Sequence, residues 1–145
     1  MMAEKTPRGV VLDAWPVLER LKLREPGLSR FHELLVRFAA GEVDFAISRI
    51  NYGEIIYSIH KERSFTEDQK TSVLELIERL PLSIVSISDD LVDDAVRLKS
   101  RYAISFGDCF GAALSMQRNL PLVTGDPEFR SLETDGLLKL EWVGA

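Results

Sequence analysis

The chain is poor in the residues that carry most protein chemistry. It has one cysteine, Cys109, and two histidines, His32 and His60. A lone thiol excludes an intrachain disulfide and a cysteine-rich zinc site. Cys109 reads as a small buried hydrophobe. Each histidine lies inside an amphipathic helical pattern and neither has a partner at H-x-x-x-H spacing. Both read as structural, and no Ser-His or Cys-His pair is suggested. Neither G-x-G-x-x-G nor G-x-x-x-x-G-K-[ST] occurs, so there is no glycine-rich phosphate loop. No apolar run approaches the roughly 20 residues that span a bilayer. The opening MMAEKTPRGVVLD lacks the apolar stretch of a signal peptide, so a cytoplasmic protein with no membrane contact is expected. Excess positive charge is missing too. A formal net charge of −5 argues against holding nucleic acid by charge alone. Two local basic groups, Arg20 with Lys22 and Arg24, and Lys61 with Arg63, read first as solvated faces.

What remains is a globular composition, 46% hydrophobic and 28% charged, in a chain sized for one core. A single domain over residues 1–145 is expected, with 1–8 as an N-terminal tail. Val10 to Leu12 reads as a buried first strand ending at Asp13. Trp15 to Leu23 is helical in pattern, and Glu25-Pro26-Gly27 breaks it. Phe31, Leu34, Leu35 and Phe38 repeat at helical spacing before Gly41. Val43 to Ile47 reads as a strand, Asn51 to His60 as a helix. Thr66 to Leu80 is a helix opened by the capping-box pattern of Thr66 and Gln69. Leu82 to Ile87 is a strand. Helices over Asp89 to Tyr102 and Phe106 to Arg118 follow. Leu120 to Thr124 is a strand, and Leu138 to Val143 a fifth. Strands alternating with helices predict an α/β fold with a mostly parallel sheet of four to five strands between helical layers.

Four acids, Asp13, Glu54, Asp108 and Asp126, sit where strand-like runs give way to helices or shortly inside those helices. In a parallel sheet such junctions share one edge, where ligands bind. Two ionised carboxylates about 5 Å apart cost roughly 3 kcal/mol at an effective dielectric of about 20. A fold that gathers four implies a cation, and hard oxygen ligands suit Mg²⁺ or Mn²⁺. Each acid also has a plainer explanation. Asp13 can be an N-cap, and Asn51-x-x-Glu54 and Ser105-x-x-Asp108 resemble capping boxes. Asp126-Pro127 is a common helix start. Caps need only a short polar side chain, however, and all four positions are acidic. Asp89 and Asp90 read as first-turn helix acids.

The segments VLDAWPVL, INYGEIIY, YAISFGDCFGAALS and LVTGDPEF resemble, in order and spacing, the PIN-domain ribonucleases. The likeness is strongest to the VapC toxins of toxin–antitoxin pairs and runs from about residue 9 to residue 143. It implies a three-layer α/β/α fold, a metal-dependent endonuclease that cuts RNA, a cognate antitoxin and a homodimer. Asp13, Glu54, Asp108 and Asp126 match the family's acids, with Asn51 and Thr124 as the groups that orient them. Ala14 stands where relatives often have serine or threonine, and Trp15-Pro16 makes the next turn bulky and stiff. Glu128 is a possible fifth ligand, although a first-turn helix acid is the plainer reading.

Phosphodiester cleavage at such a site needs no histidine, because a cation lowers the pKa of water and polarises the phosphoryl group. Asp13, Asp108 and Asp126 are the expected ligands. Glu54 is either a ligand or the general base. Arg20 and Arg24 are candidate phosphate contacts. The alternative is a PIN-like module that holds RNA or a partner without cutting. A phosphatase of the D-x-D type fits poorly, because Asp13 is followed by Ala14 and Trp15. A phospho-acceptor receiver fits poorly too, because the acidic pair Asp89-Asp90 follows the third strand. The acidic pocket invites an arginine or lysine from the antitoxin. The helical segments 14–23 and 50–63 are expected to form the groove that receives the rest of it.

Overall fold

The structure, a computed structural model, describes residues 8–145. Five strands form one sheet: β1 (Arg8–Leu12), β2 (Val43–Ser48), β3 (Leu82–Val85), β4 (Leu122–Thr124) and β5 (Leu140–Trp142). Arg8 therefore belongs to the sheet, not to the expected tail; the rest of that tail, residues 1–7, lies outside the described residues. The strand order is β3-β2-β1-β4-β5, and every pairing is parallel.

Among the described residues seven helices connect them: α1 (Ala14–Leu21), α2 (Gly27–Ala39), α3 (Arg49–Lys61), α4 (Glu67–Arg79), α5 (Asp89–Arg101), α6 (Phe106–Arg118) and the short α7 (Arg130–Thr134). The alternation of side chains along the strands sorts the helices into two layers. Val10, Leu12, Phe45 and Ile47 point into one core with α1, α2, α3 and α4. Val11 and Ala46 point into the other with α5, α6 and α7. The result is the expected α/β/α sandwich.

Chain order reverses across β1, which pairs with β2 on one side and β4 on the other. Loops leaving neighbouring strands at such a reversal part from each other and open a crevice beyond the strands' carboxyl ends. Asp13 leaves β1 and Gly125 leaves β4 at that point.

Several element starts differ from the sequence reading. Helix α3 begins at Arg49, not Asn51, because Ser48 is its cap and accepts from the Asn51 amide at 3.0 Å. Asn51 is thus inside the helix, and Glu54 is not the acid of a capping box. Gly27 opens α2, while α1 already ends at Leu21, ahead of Leu23 with its φ of 56°. Asp108 enters from a helix–helix junction, since α6 follows α5. The expected box at Thr66 and Gln69 is present with both hydrogen bonds. Gly41 takes a φ of 76°, the left-handed conformation that closes α2. His32 and His60 lie exposed on α2 and α3, and Cys109 is buried in the α5–α6 core.

Candidate metal centre

Asp13 is 3% exposed and sits at the first turn of α1, yet its side chain makes no cap hydrogen bond there. Its Oδ2 instead accepts from Thr124 Oγ1 at 3.0 Å, across the crevice. Thr124 is fully buried at the end of β4. The same oxygen, Thr124 Oγ1, accepts from the Asp126 amide at 3.1 Å. One hydroxyl therefore links the acid after β1 to the turn after β4. Asp126 does cap, accepting from the Glu128 amide at 3.0 Å at the head of the 3-10 turn Pro127–Phe129.

Carboxylate oxygens of Asp108, Asp126 and Glu128 lie within 4.8 Å of one another. Asp108 occupies the first turn of α6, where Ser105 Oγ accepts from its amide at 3.2 Å. Glu128 is drawn further into the cluster than its sequence position suggested, with a carboxylate oxygen within 4.8 Å of those of both Asp108 and Asp126. Glu54 reaches the cluster from α3, close enough for its charge to act on Asp13. Its seat is built by Asn51, a fully buried side chain. Asn51 Nδ2 donates to Glu54 Oε1 at 2.8 Å and to the Gly107 carbonyl at 3.0 Å, while Asn51 Oδ1 accepts from Ser48 Oγ at 2.6 Å. Gly107 leaves the room, since a Cβ there would collide with the Glu54 carboxylate.

The electrostatics follow from burial and like charge. Loss of water pushes the Asp13 carboxyl up to about 7, with the Thr124 hydroxyl and the Ala14 amide opposing and the Glu54 and Asp126 charges adding. Asp108 is pushed up to about 8, first by burial, then by the charge of Asp13 and the neighbouring Glu128 carboxyl. Among the described residues no lysine, arginine or histidine forms an ion pair with any of these five acids. A divalent cation would reverse both shifts by favouring the ionised forms. The donor set therefore fits such an ion: clustered hard oxygens, one buried, with no protein countercharge.

Arg20 and Arg24 lie elsewhere. Arg24 pairs with Glu19 at 3.5 Å. Arg20 lines a groove of about 530 Å³ between the end of α1, the start of α2 and α4, with Leu21, Leu23, Leu28, Phe65 and Val73. The apolar groove thus uses α4 where the sequence pointed to segment 50–63. Lys22 is also neutralised, by Glu62 at 3.1 Å. Ser48, Gly107 and Gly125 escaped the sequence reading. Only Ser48 left a trace, as a serine three residues before Asn51 at a strand end.

No curated protein matches the sequence. Solved structures do match the fold. VapBC2 from Rickettsia felis, bound to a DNA fragment from its promoter, superposes with a TM-score of 0.70 at 21% identity, over 92% of this chain and 97% of that one. DNA-bound VapBC from Salmonella typhimurium gives 0.66 at 20%, over 93% and 97%. The Mycobacterium tuberculosis VapC20, a sarcin–ricin loop cleaving toxin, gives 0.66 at 12%, over 84% and 93%. The PIN domain family profile matches residues 10–134, from the first strand through the last acid of the cluster, and the chain belongs to the PIN domain family.

Proposed function

We propose that the chain is a metal-dependent endoribonuclease and the toxin of a toxin–antitoxin pair. The observation that carries this is the gathering of acids at the reversal of strand order: carboxylate oxygens of Asp108, Asp126 and Glu128 lie within 4.8 Å of one another, buried Asp13 stands close enough for its charge to act on Asp108, and among the described residues no cationic side chain forms an ion pair with them. Asp13, Asp108 and Asp126 would hold Mg²⁺ or Mn²⁺, with Glu128 as a further ligand. A cation bound there would supply positive charge to polarise the phosphoryl group and steady the leaving oxygen. The protein's own groups do the positioning. Thr124 fixes Asp13 Oδ2 and the Asp126 backbone through one oxygen. Asn51 holds Glu54 by Oε1, which leaves Oε2 to take a cation or a proton. The named likeness to VapC20 supports RNA as substrate.

The likeness to VapBC structures supports an antitoxin, and the groove beside Arg20 supports a docking place for it. Leu23 is 76% exposed there and holds a φ of 56°, an unfavourable conformation for a side chain that covers nothing. An amphipathic helix with acids at its rim would cover Leu23 and Leu76 and meet Arg20 and Arg79. A homodimer is part of the same reading. Among the described residues no helix is long and apolar enough to cross a membrane, in keeping with a cytoplasmic setting.

Purified protein incubated with total RNA should cut it with Mg²⁺ or Mn²⁺ and not with a chelator. Asp13→Asn and Asp108→Asn should abolish cutting and keep the fold. Cleavage that survives both substitutions refutes the site. RNA retained but never cut under any metal condition favours the non-cleaving module. Expression of the chain alone should slow growth, and the Asp13→Asn form should not.

A further inference from the structure

Three buried glycines among the described residues answer to space, not to backbone conformation. The described glycines with left-handed φ are Gly41 and Gly136. Gly27, Gly125 and Gly144 are buried instead, and each lacks room for a Cβ. At Gly125 a Cβ would stand inside the contact radius of three atoms of the Trp15 six-membered ring. At Gly27 it would lie 2.9 Å from Trp15 Cζ3 and 2.7 Å from Glu19 Cβ. At Gly144 it would lie 2.9 Å from both Cα and the carbonyl oxygen of Gly125. Contacts below 3.0 Å cannot be absorbed when the neighbour is backbone or a packed ring. The Trp15 indole is thus wedged between the first residue of α2 and the turn after β4. That turn is also held by the C-terminal segment, where the Val143 amide donates to the Thr124 carbonyl at 3.0 Å and Arg30 to the Gly144 carbonyl.

The turn so confined is Thr124-Gly125-Asp126, which carries the hydroxyl on Asp13 and one corner of the Asp108, Asp126 and Glu128 cluster. We propose that Trp15 is a positioning residue for the carboxylate site: its ring is the wall that sets this turn, and through it the spacing of Asp126 from Asp13 and Asp108. This rests on the reading of the cluster as a cation site. It gives a role to the bulky Trp15-Pro16 pair and couples the loop after β1 to the loop after β4 by packing as well as by the Thr124 hydrogen bond.

The test is a double-mutant cycle on the full chain, read in two ways. The first readout is Mn²⁺ affinity, from the spin-resonance signal of free Mn²⁺. The second needs no metal: hydrogen exchange of the Asp126 amide, whose acceptor is Thr124 Oγ1. Trp15→Ala and Gly125→Ala should each weaken Mn²⁺ binding by about 10- to 100-fold, the range for groups that orient metal ligands. Each should also lose Asp126 protection while the β1 amides keep theirs. Trp15→Phe removes the ring atoms that crowd Gly125. The Trp15→Phe/Gly125→Ala double variant should therefore bind Mn²⁺ more tightly than Gly125→Ala alone. If Trp15→Ala does not fold, the other three proteins decide. Wild-type affinity and protection in Gly125→Ala, or a double variant no better than Gly125→Ala by either readout, overturns the proposal. If the wild type binds no Mn²⁺, the cation reading fails by itself, and the exchange data still judge Trp15.

Discussion

Replacing Asp13 by asparagine should stabilise the metal-free protein strongly at pH 8 and by less than half as much at pH 5. Burial raises the Asp13 carboxyl from 3.8 to about 7. The folded state thus keeps a proton that the unfolded state has released at any pH between those values. A raised native pKa contributes stability that is fully present below the unfolded value and lost as pH rises through the folded one. At about 1.4 kcal/mol per pH unit, the loss at pH 8 is at most roughly 4 kcal/mol. Asparagine cannot ionise. Its oxygen keeps the Thr124 hydrogen bond, and its amide donates toward the neighbouring carboxylates. For a chain of this size about 1 kcal/mol is worth roughly 3 °C. The expected rise at pH 8 is therefore about 3–10 °C in a chelator, measured by scanning calorimetry. Asp108, raised to about 8, moves the same way, so the wild-type melting temperature should fall between pH 5 and pH 8. Millimolar Mn²⁺ should restore the wild type at pH 8 by binding the folded state alone, and should do little for Asp13→Asn. An Asp13→Asn variant destabilised equally at both pH values, with its Mn²⁺ response intact, would show that the carboxylate is a structural partner and not a repelled ligand.

Two further substitutions separate the parts of the proposed function. Gly107→Ala should push the Glu54 carboxylate off its Asn51 seat, so RNA cleavage should drop by about 10- to 100-fold while Mn²⁺ binding at Asp13, Asp108 and Asp126 persists; equal loss of both would make Glu54 a ligand. Leu76→Glu places a charge on a half-exposed groove residue, so the purified chain should lose its co-expressed partner in a pull-down and still cut RNA; a retained partner moves the docking surface elsewhere.

The fold was legible because its signals are local. The alternation of Val10, Val11 and Leu12, and of Phe45, Ala46 and Ile47, states which side chains face which layer, and the structure divides them that way. The edge was legible for Asp13, Glu54 and Asp126, which follow β1, β2 and β4, for a topological reason: parallel strands send their carboxyl ends to one side, whereas Asp108 follows a helix and that rule does not place it. Errors arose where one residue type serves two local roles. Ser48 ends a strand run but caps a helix, which hid the true start of α3 and made Glu54 resemble a capping acid. Glu128 lies two residues past Asp126, and only the tight 3-10 turn brings its carboxylate back beside Asp108. The wedge of Trp15 against Gly27, Gly125 and the turn held by Gly144 joins distant segments, and nothing in their spacing reports it.

The capping explanation and the cation explanation for these acids make different demands, and the side chains answer them separately. A cap is satisfied by the amide it accepts from, can stay in water, and costs nothing in charge. Asp126 meets that description in part, because its Oδ1 takes the Glu128 amide. Asp13 does not. It stands at the head of α1 and declines the cap, at 3% exposure, beside three carboxylates. Asparagine would fill the same space without the charge. Local rules broken without structural gain mark the places where function is paid for in stability. The buried hydroxyl of Thr124 deepens the contrast: one oxygen serves both Asp13 and the Asp126 amide, so the costly acid and the capping acid share a single support. A substitution at Thr124 would loosen both at once, which no helix cap requires and a cation site does.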